Sequence, residues 1–232
     1  MATFCLIHGA WHDRSCWEPL VARLRALGHE AAAPELPFHD PEAGLQERVR
    51  PALRALDACT GPVVVVGHSM GSRYAQPVAL ARPGSLLVHL CPRLGQFLSP
   101  PGAPDMFRAG IPFPAERPDG TTIWDAQTAI DVLYRRLPAA TASDLAQRLR
   151  PLAPLTADSP QPRFPDIPTV LVYAAEDEIF EPAWERFMAT ELLGIEPIEI
   201  PGGHFPMLED PDALASLLDR LALEHARASH PT

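Results

Sequence analysis

The sequence contains no lysine and no asparagine. Without lysine there is no amine to form a Schiff base, to hold a phosphate in a P-loop, or to steer a cyanide leaving group. Without asparagine there is no N-glycosylation sequon. Basic residues are scarce as well: 19 arginines stand against 29 acidic residues, for a net charge of −10. No basic block is present to neutralise phosphates, so no nucleic-acid partner is expected and the acidity reads as ordinary solubility. Only four cysteines occur, Cys5, Cys16, Cys59 and Cys91, with no C-x-x-C spacing. They read as free thiols in a reducing compartment. No stretch approaches the roughly 20 apolar residues of a membrane span, and the N-terminus lacks a basic segment followed by a long apolar one. A cytoplasmic protein with no membrane partner is the expectation.

Arginine, alanine and the 28 prolines are abundant instead, which reads as GC-rich bacterial coding bias. The hydrophobic content of 47% in 232 residues supplies one sizeable core. Short apolar runs alternate with segments of helical periodicity. Thr3–Ile7, His29–Ala33, Val63–Val66 and Leu86–Leu90 read as strands, and Cys16–Leu27, Leu45–Cys59 and the segment after Gly71 read as helices. Such alternation predicts a parallel sheet with helices on both faces. The rhythm breaks over 95–168, and half of the prolines lie between Pro92 and Pro168. Helical spacing persists there at Thr122–Leu137 and Ala142–Leu149. Phe107, Ile111, Phe113, Trp124, Leu133 and Tyr134 argue for a packed lid rather than a linker. Strand Thr169–Ala174, helix Pro182–Leu193, strand Ile195–Ile200 and helix Pro211–His225, capped by Asp210, restore the pattern. The expected organisation is a core of 1–94 and 169–232 with a lid insertion at 95–168.

Chemistry concentrates at Pro62–Pro83. Four consecutive valines run into Gly67-His68-Ser69-Met70-Gly71 and then into a helix. Gly-x-Ser-x-Gly alone is weak, since roughly one chain in ten of this length holds one by chance. A strand before it and a helix after it make it a nucleophile elbow, a strained turn that presents the serine at a helix N-terminus. Ser69 is thus the candidate nucleophile. His204, in the glycine-flanked loop after the last strand, is the candidate base. Asp177, after strand Thr169–Ala174, is the candidate acid, with Glu176 and Glu178 as neighbouring competitors. The other common place for that acid, the end of Leu86–Leu90, carries Cys91-Pro92 and no carboxylate. Two backbone donors are needed for an oxyanion hole; Met70 and Ala10 are placed to give them. His8 then shapes the loop, and His68 and Ser72 are structural neighbours of the turn.

His8-Gly9-Ala10-Trp11, Gly67-His68-Ser69-Met70-Gly71, Asp177 and Gly203-His204-Phe205 resemble, in order and spacing, the motifs of the α/β-hydrolase superfamily. With Ser15-Cys16-Trp17 they are similar to its small esterase branch, which includes plant methylesterases and hydroxynitrile lyases. The resemblance implies about six mostly parallel strands flanked by helices, with a small helical lid. It implies a serine hydrolase acting through an acyl-enzyme on a small-molecule substrate, an apolar ester, thioester or lactone, with no cofactor and no metal. Trp11, Trp124 and Phe205 would line the substrate pocket. A cofactor-free lyase or cyclase on the same scaffold and a non-catalytic small-ligand binder are the alternatives. Serine as nucleophile argues against a dehalogenase or epoxide hydrolase. Ser72-Arg73 and Pro77 depart from the family pattern; Pro77 removes a donor inside the helix, and a kink or local irregularity is expected there. Nothing in the sequence sets an oligomeric state.

Overall fold

A computed structural model describes residues 1–94, 102–154 and 167–229. Six strands form one sheet: β1 (Thr3–Ile7), β2 (Glu30–Ala32), β3 (Val63–His68), β4 (Leu86–Leu90), β5 (Thr169–Ala174) and β6 (Ile198–Ile200). Their spatial order is β2-β1-β3-β4-β5-β6, and every neighbouring pair is parallel. The chain winds outward from β1 to β2, then crosses back to build β3 through β6 on the other side. Strand residues alternate between two cores. Phe4, Leu6, Val64, Val66, Val88 and Leu90 pack on one face of the sheet; Cys5, Ile7, Val63, Val65 and Leu87 pack on the other. This two-sided burial explains why the central strands are nearly uninterrupted apolar runs.

Helix α1 (Glu18–Ala26) and the long α8 (Pro211–Ser229) cover the first face; α2 (Leu45–Ala55) and α3 (Gly71–Leu80) cover the second. A short 3₁₀ turn at Arg14–Trp17 precedes α1, so the helix starts later than its periodicity predicts, at Glu18, with Pro19 in its first turn. Gly28 follows α1 at φ +85°, the left-handed stop that a residue with a Cβ adopts at a cost. Helix α3 continues through Pro77 to Leu80. Helix α8 begins where Asp210 Oδ1 accepts the Ala213 N–H at 2.9 Å, the expected cap, and it runs past His225 to Ser229.

Between β4 and β5 lie α4 (Ala126–Leu133) and α5 (Ala139–Arg148). The helix expected over Thr122–Leu137 is shorter. Thr122 pairs instead with Glu116 and Leu152 in isolated bridges, and Asp125 caps α4 by accepting the Thr128 N–H at 2.9 Å. Of the stretch expected as a lid, 95–101 and 155–166 lie outside the described residues. After β5, α6 (Pro182–Phe187) passes into a π-helical turn, Met188–Leu193, closed by Gly194 at φ +66°. The final strand is three residues long, shorter than Ile195–Ile200. A one-turn helix, α7 (Pro206–Glu209), separates it from α8.

Candidate active site

The loops at the carboxyl ends of β1, β3, β5 and β6 converge on one cavity. Ser69 sits between β3 and α3 with φ +51°, a backbone state that costs a non-glycine residue about 1–3 kcal/mol. Its surroundings hold it there. The Ser69 N–H donates to the Leu90 carbonyl at 3.0 Å, and its own carbonyl accepts from Arg93 N at 3.0 Å and Ser72 N at 3.1 Å. The flanking glycines are needed because backbone crowds them. A Cβ on Gly67 would stand 2.5 Å from Ser72 Cα, and one on Gly71 would stand 2.4 Å from the His8 carbonyl oxygen. Ser72 closes the turn by donating its hydroxyl to the Gly67 carbonyl at 2.6 Å.

The loop after β1 passes directly over the serine. A Cβ on Gly9 would meet Ser69 Cβ at 3.1 Å. His8 spends both ring nitrogens within this region, Nδ1 toward the Gly9 carbonyl at 3.1 Å and Nε2 accepting the Leu36 N–H at 3.1 Å. Burial holds its pKa below the ordinary histidine value. Ala10 lines the cavity, and Trp11 follows with φ +60°. The Trp11 indole N–H donates to the Thr122 hydroxyl at 3.0 Å, which ties the loop to the segment between β4 and β5.

His204 follows β6 and lines the cavity opposite. Its Nδ1 lies 2.7 Å from Asp177 Oδ2. A carboxylate accepts, so Nδ1 carries the proton and Nε2 is left as the basic nitrogen. Asp177 is buried behind it. Its other oxygen accepts the N–H groups of Ile179 (2.7 Å) and Phe180 (2.9 Å), which fixes the carboxylate plane. The neighbouring acids do other work. Glu178 Oε2 accepts the backbone N–H of His204 at 3.1 Å, and Glu176 pairs with Arg136. Cys91, where the alternative acid would stand, places its sulfur within 4.8 Å of the Asp177 and His204 donor atoms. Burial and the nearby Glu185 and Asp177 carboxylates push its thiol pKa up. His68, beside the serine, lies with Nε2 2.8 Å from the His204 carbonyl, and burial, with His204 beside it, lowers its pKa.

The cavity holds about 500 Å³ of empty space, mouth included. Ser69, His204, Ala10, Trp11, Trp124 and Phe205 all line it, so the sequence-derived lining is brought together. Met70 is buried behind Ser69, and Asp177 stands behind His204. Phe107, Ile111, Phe113, Leu133, Ile179 and Phe180 complete a largely apolar wall. Ile179 and Phe180 were missed from sequence, although an apolar pair directly after the acid is a visible signal. His12 was missed too, and so was Arg93, whose guanidinium lies 5.7 Å from the Phe107 ring centre. Burial and the Arg73 charge lower the Arg93 pKa to about 10. Arg73, flagged by its departure from the family pattern, is buried in α3.

The model of the alpha/beta hydrolase family matches residues 6–217. A rice protein described as a probable esterase, PIR7A (Oryza sativa subsp. indica), is 26% identical over 96% of this chain and 97% of its own. A pyrethroid hydrolase from Sphingobium wenxiniae is 24% identical over 92% of this chain and 85% of its own. Among solved structures, the methylesterase protein MES16 from Arabidopsis superposes with a TM-score of 0.75 at 20% identity, covering 95% of this chain and 98% of that one.

Proposed function

Because this chain belongs to the alpha/beta hydrolase family, we propose that it is a serine carboxylester hydrolase that forms an acyl-enzyme on Ser69. The observation that carries the assignment is the buried His204 Nδ1–Asp177 Oδ2 contact of 2.7 Å behind a cavity whose wall contains both Ser69 and His204. A binding pocket alone has no need of an imidazole with a fixed tautomer.

In the forward half-reaction, the Ser69 hydroxyl oxygen attacks the ester carbonyl carbon and its proton passes to His204 Nε2. Asp177 holds the imidazole and stabilises its cation. The carbonyl π electrons move to oxygen, and the N–H groups of Ala10 and Met70 receive that oxyanion, with the α3 N-terminus favouring the same charge. Collapse expels the alkoxide, which takes the proton from His204. Water then attacks the acyl-enzyme by the same steps and releases the acid. The apolar wall favours a small ester, thioester or lactone, and the esterase and pyrethroid hydrolase descriptions of the relatives agree with ester chemistry. No step uses a cofactor or metal. The described residues 102–154 bring Phe107, Ile111, Phe113, Trp124 and Leu133 to the cavity wall, which supports reading that part of the insertion as a lid over the core. The free cysteines fit a reducing, cytoplasmic setting; among the described residues no helix is long and apolar enough to cross a membrane.

Ser69→Ala tests the mechanism. It is expected to abolish turnover of short p-nitrophenyl esters and labelling by a fluorophosphonate, with an unchanged melting curve. Retained turnover would refute the acyl-enzyme. A wild-type protein that is labelled at Ser69 yet turns over no ester would point to lyase or cyclase chemistry instead.

A further inference from the structure

Three consecutive residues in the turn just after α4, Tyr134, Arg135 and Arg136, grip two loops that the sheet does not join. β1 and β6 are separated by β3, β4 and β5 in the strand order, so no ladder hydrogen bond links the Ala10 loop to the His204 loop. On one side, the Tyr134 hydroxyl lies 2.6 Å from His12 Nε2, and His12 Nδ1 lies 2.7 Å from the Ala10 carbonyl. A carbonyl only accepts, so Nδ1 carries the proton and Nε2 accepts from the tyrosine. Burial lowers the His12 pKa to about 4, which keeps this tautomer at neutral pH. The chain of two hydrogen bonds ends on the residue proposed as an oxyanion donor, next to Trp11 with its φ of +60°.

On the other side, Arg136 Nε pairs with Glu209 Oε2 at 3.0 Å and approaches Glu178 Oε1 at 3.9 Å, while Arg135 Nε reaches Glu178 Oε1 at 3.3 Å. These two carboxylates hold the backbone at the proposed base. Glu178 Oε2 accepts the His204 N–H at 3.1 Å, and Glu209 Oε2 accepts the Gly203 N–H at 2.8 Å. The Arg136 stem packs so closely on this loop that a Cβ on Gly203 would stand 2.7 Å from Arg136 Cδ and 2.4 Å from Glu178 Oε2. The Glu178 side chain is only 5% exposed, so removing its arginines leaves a poorly solvated charge beside His204.

We propose that the Tyr134–Arg136 turn is a positioning clamp that sets the Ala10 loop through His12 and the His204 loop through Glu178 and Glu209, so that oxyanion donor and base are aligned together when this turn is docked. The inference rests on the hydrolase reading above. None of the three residues is among those lining the cavity, so the clamp acts on kcat and leaves substrate affinity alone.

The test compares Tyr134→Phe, Arg136→Gln, their double variant and Arg136→Lys, using p-nitrophenyl butyrate turnover per fluorophosphonate-labelled site. Arg148→Gln, which removes an exposed pair with Asp144 on α5, is the control. Each single variant is expected to lose about tenfold in kcat, the scale of one positioned hydrogen bond, with KM within about twofold. The double variant is expected to lose less than the product of the two, because one docked turn serves both loops. Lysine at 136 recovers part of the loss, and the control matches wild type. Wild-type kcat per labelled site in both single variants overturns the clamp. So does a loss confined to the labelled fraction, which would mean the turn only stabilises the fold. If wild-type protein is not labelled at Ser69, the hydrolase reading itself fails and the clamp with it.

Discussion

Ser69 is held at φ +51° by neighbours that leave no room for side chains, and this makes the turn sensitive at positions with no chemistry of their own. Gly71 is the sharpest case. A Cβ there would meet the His8 and Ile7 carbonyl oxygens at 2.4 and 2.6 Å. Both are backbone atoms of β1 and the loop that follows it, and neither can swing away as a side-chain end can. Gly71→Ala is therefore expected to destabilise the protein by about 3 kcal/mol, read as a lowered urea midpoint at unchanged slope. A midpoint within error of wild type would show that α3 can slide from β1 without cost. The sequence carried the residue types of this turn but not the atoms they meet. It pointed to Asp177 as the acid, but it assigned no separate work to Glu176 and Glu178, because three adjacent carboxylates differ only in where the chain turns. The turn points Asp177 at the imidazole ring and gives Glu178 to the backbone N–H of His204.

Among the elements, β1, β4 and β5 match the runs read from sequence, because strands buried on both faces leave an uninterrupted apolar signature. Elements at the rim were less legible. The periodicity over Thr122–Leu137 is helical, yet the Thr122–Leu152 bridge and the Asp125 cap start α4 later. Local periodicity contains no record of a partner thirty residues away. β4 carries one residue at odds with its setting. His89 is fully buried in Leu-Leu-Val-His-Leu, and neither ring nitrogen has a hydrogen-bond partner among the described residues. Burial lowers its pKa to about 3, so the ring is neutral and its polar atoms are desolvated without return. Replacing it by an apolar side chain of similar size removes that cost. His89→Leu is expected to raise stability by about 2 kcal/mol, measured by urea or thermal melting. A destabilised variant would mean that the ring makes packing contacts worth more than its desolvation.

Across the whole molecule, the site is legible because its parts follow the ends of successive strands in an order that the sequence preserves. What joins those parts was not legible, since the His12–Tyr134 bond spans 122 positions and involves types that are common in cores. The same architecture buries histidines in several places at once, and this sets its response to acid. His8, His12, His68 and His89 all have pKa values lowered chiefly by burial. In the unfolded chain each takes up a proton near pH 6.5. Between that pH and the lower folded value the unfolded state binds more protons, so stability falls as pH falls, by about 1.4 kcal/mol per pH unit for each group. The contribution is complete above about pH 6.5; the loss continues to about pH 4 for His12 and about pH 3 for His89. Glu178 and Glu185 work in the opposite sense, because burial raises their folded values and protonation then favours the native state. Four lowered histidines outnumber two raised carboxylates, so stability falls on balance as the pH drops below about 6.5. The urea midpoint is expected to be level between pH 7 and 8, to fall steadily below about pH 6.5, and to fall less steeply in His89→Leu. A midpoint at pH 5 equal to that at pH 7.5 would show that these rings take up protons in the folded protein.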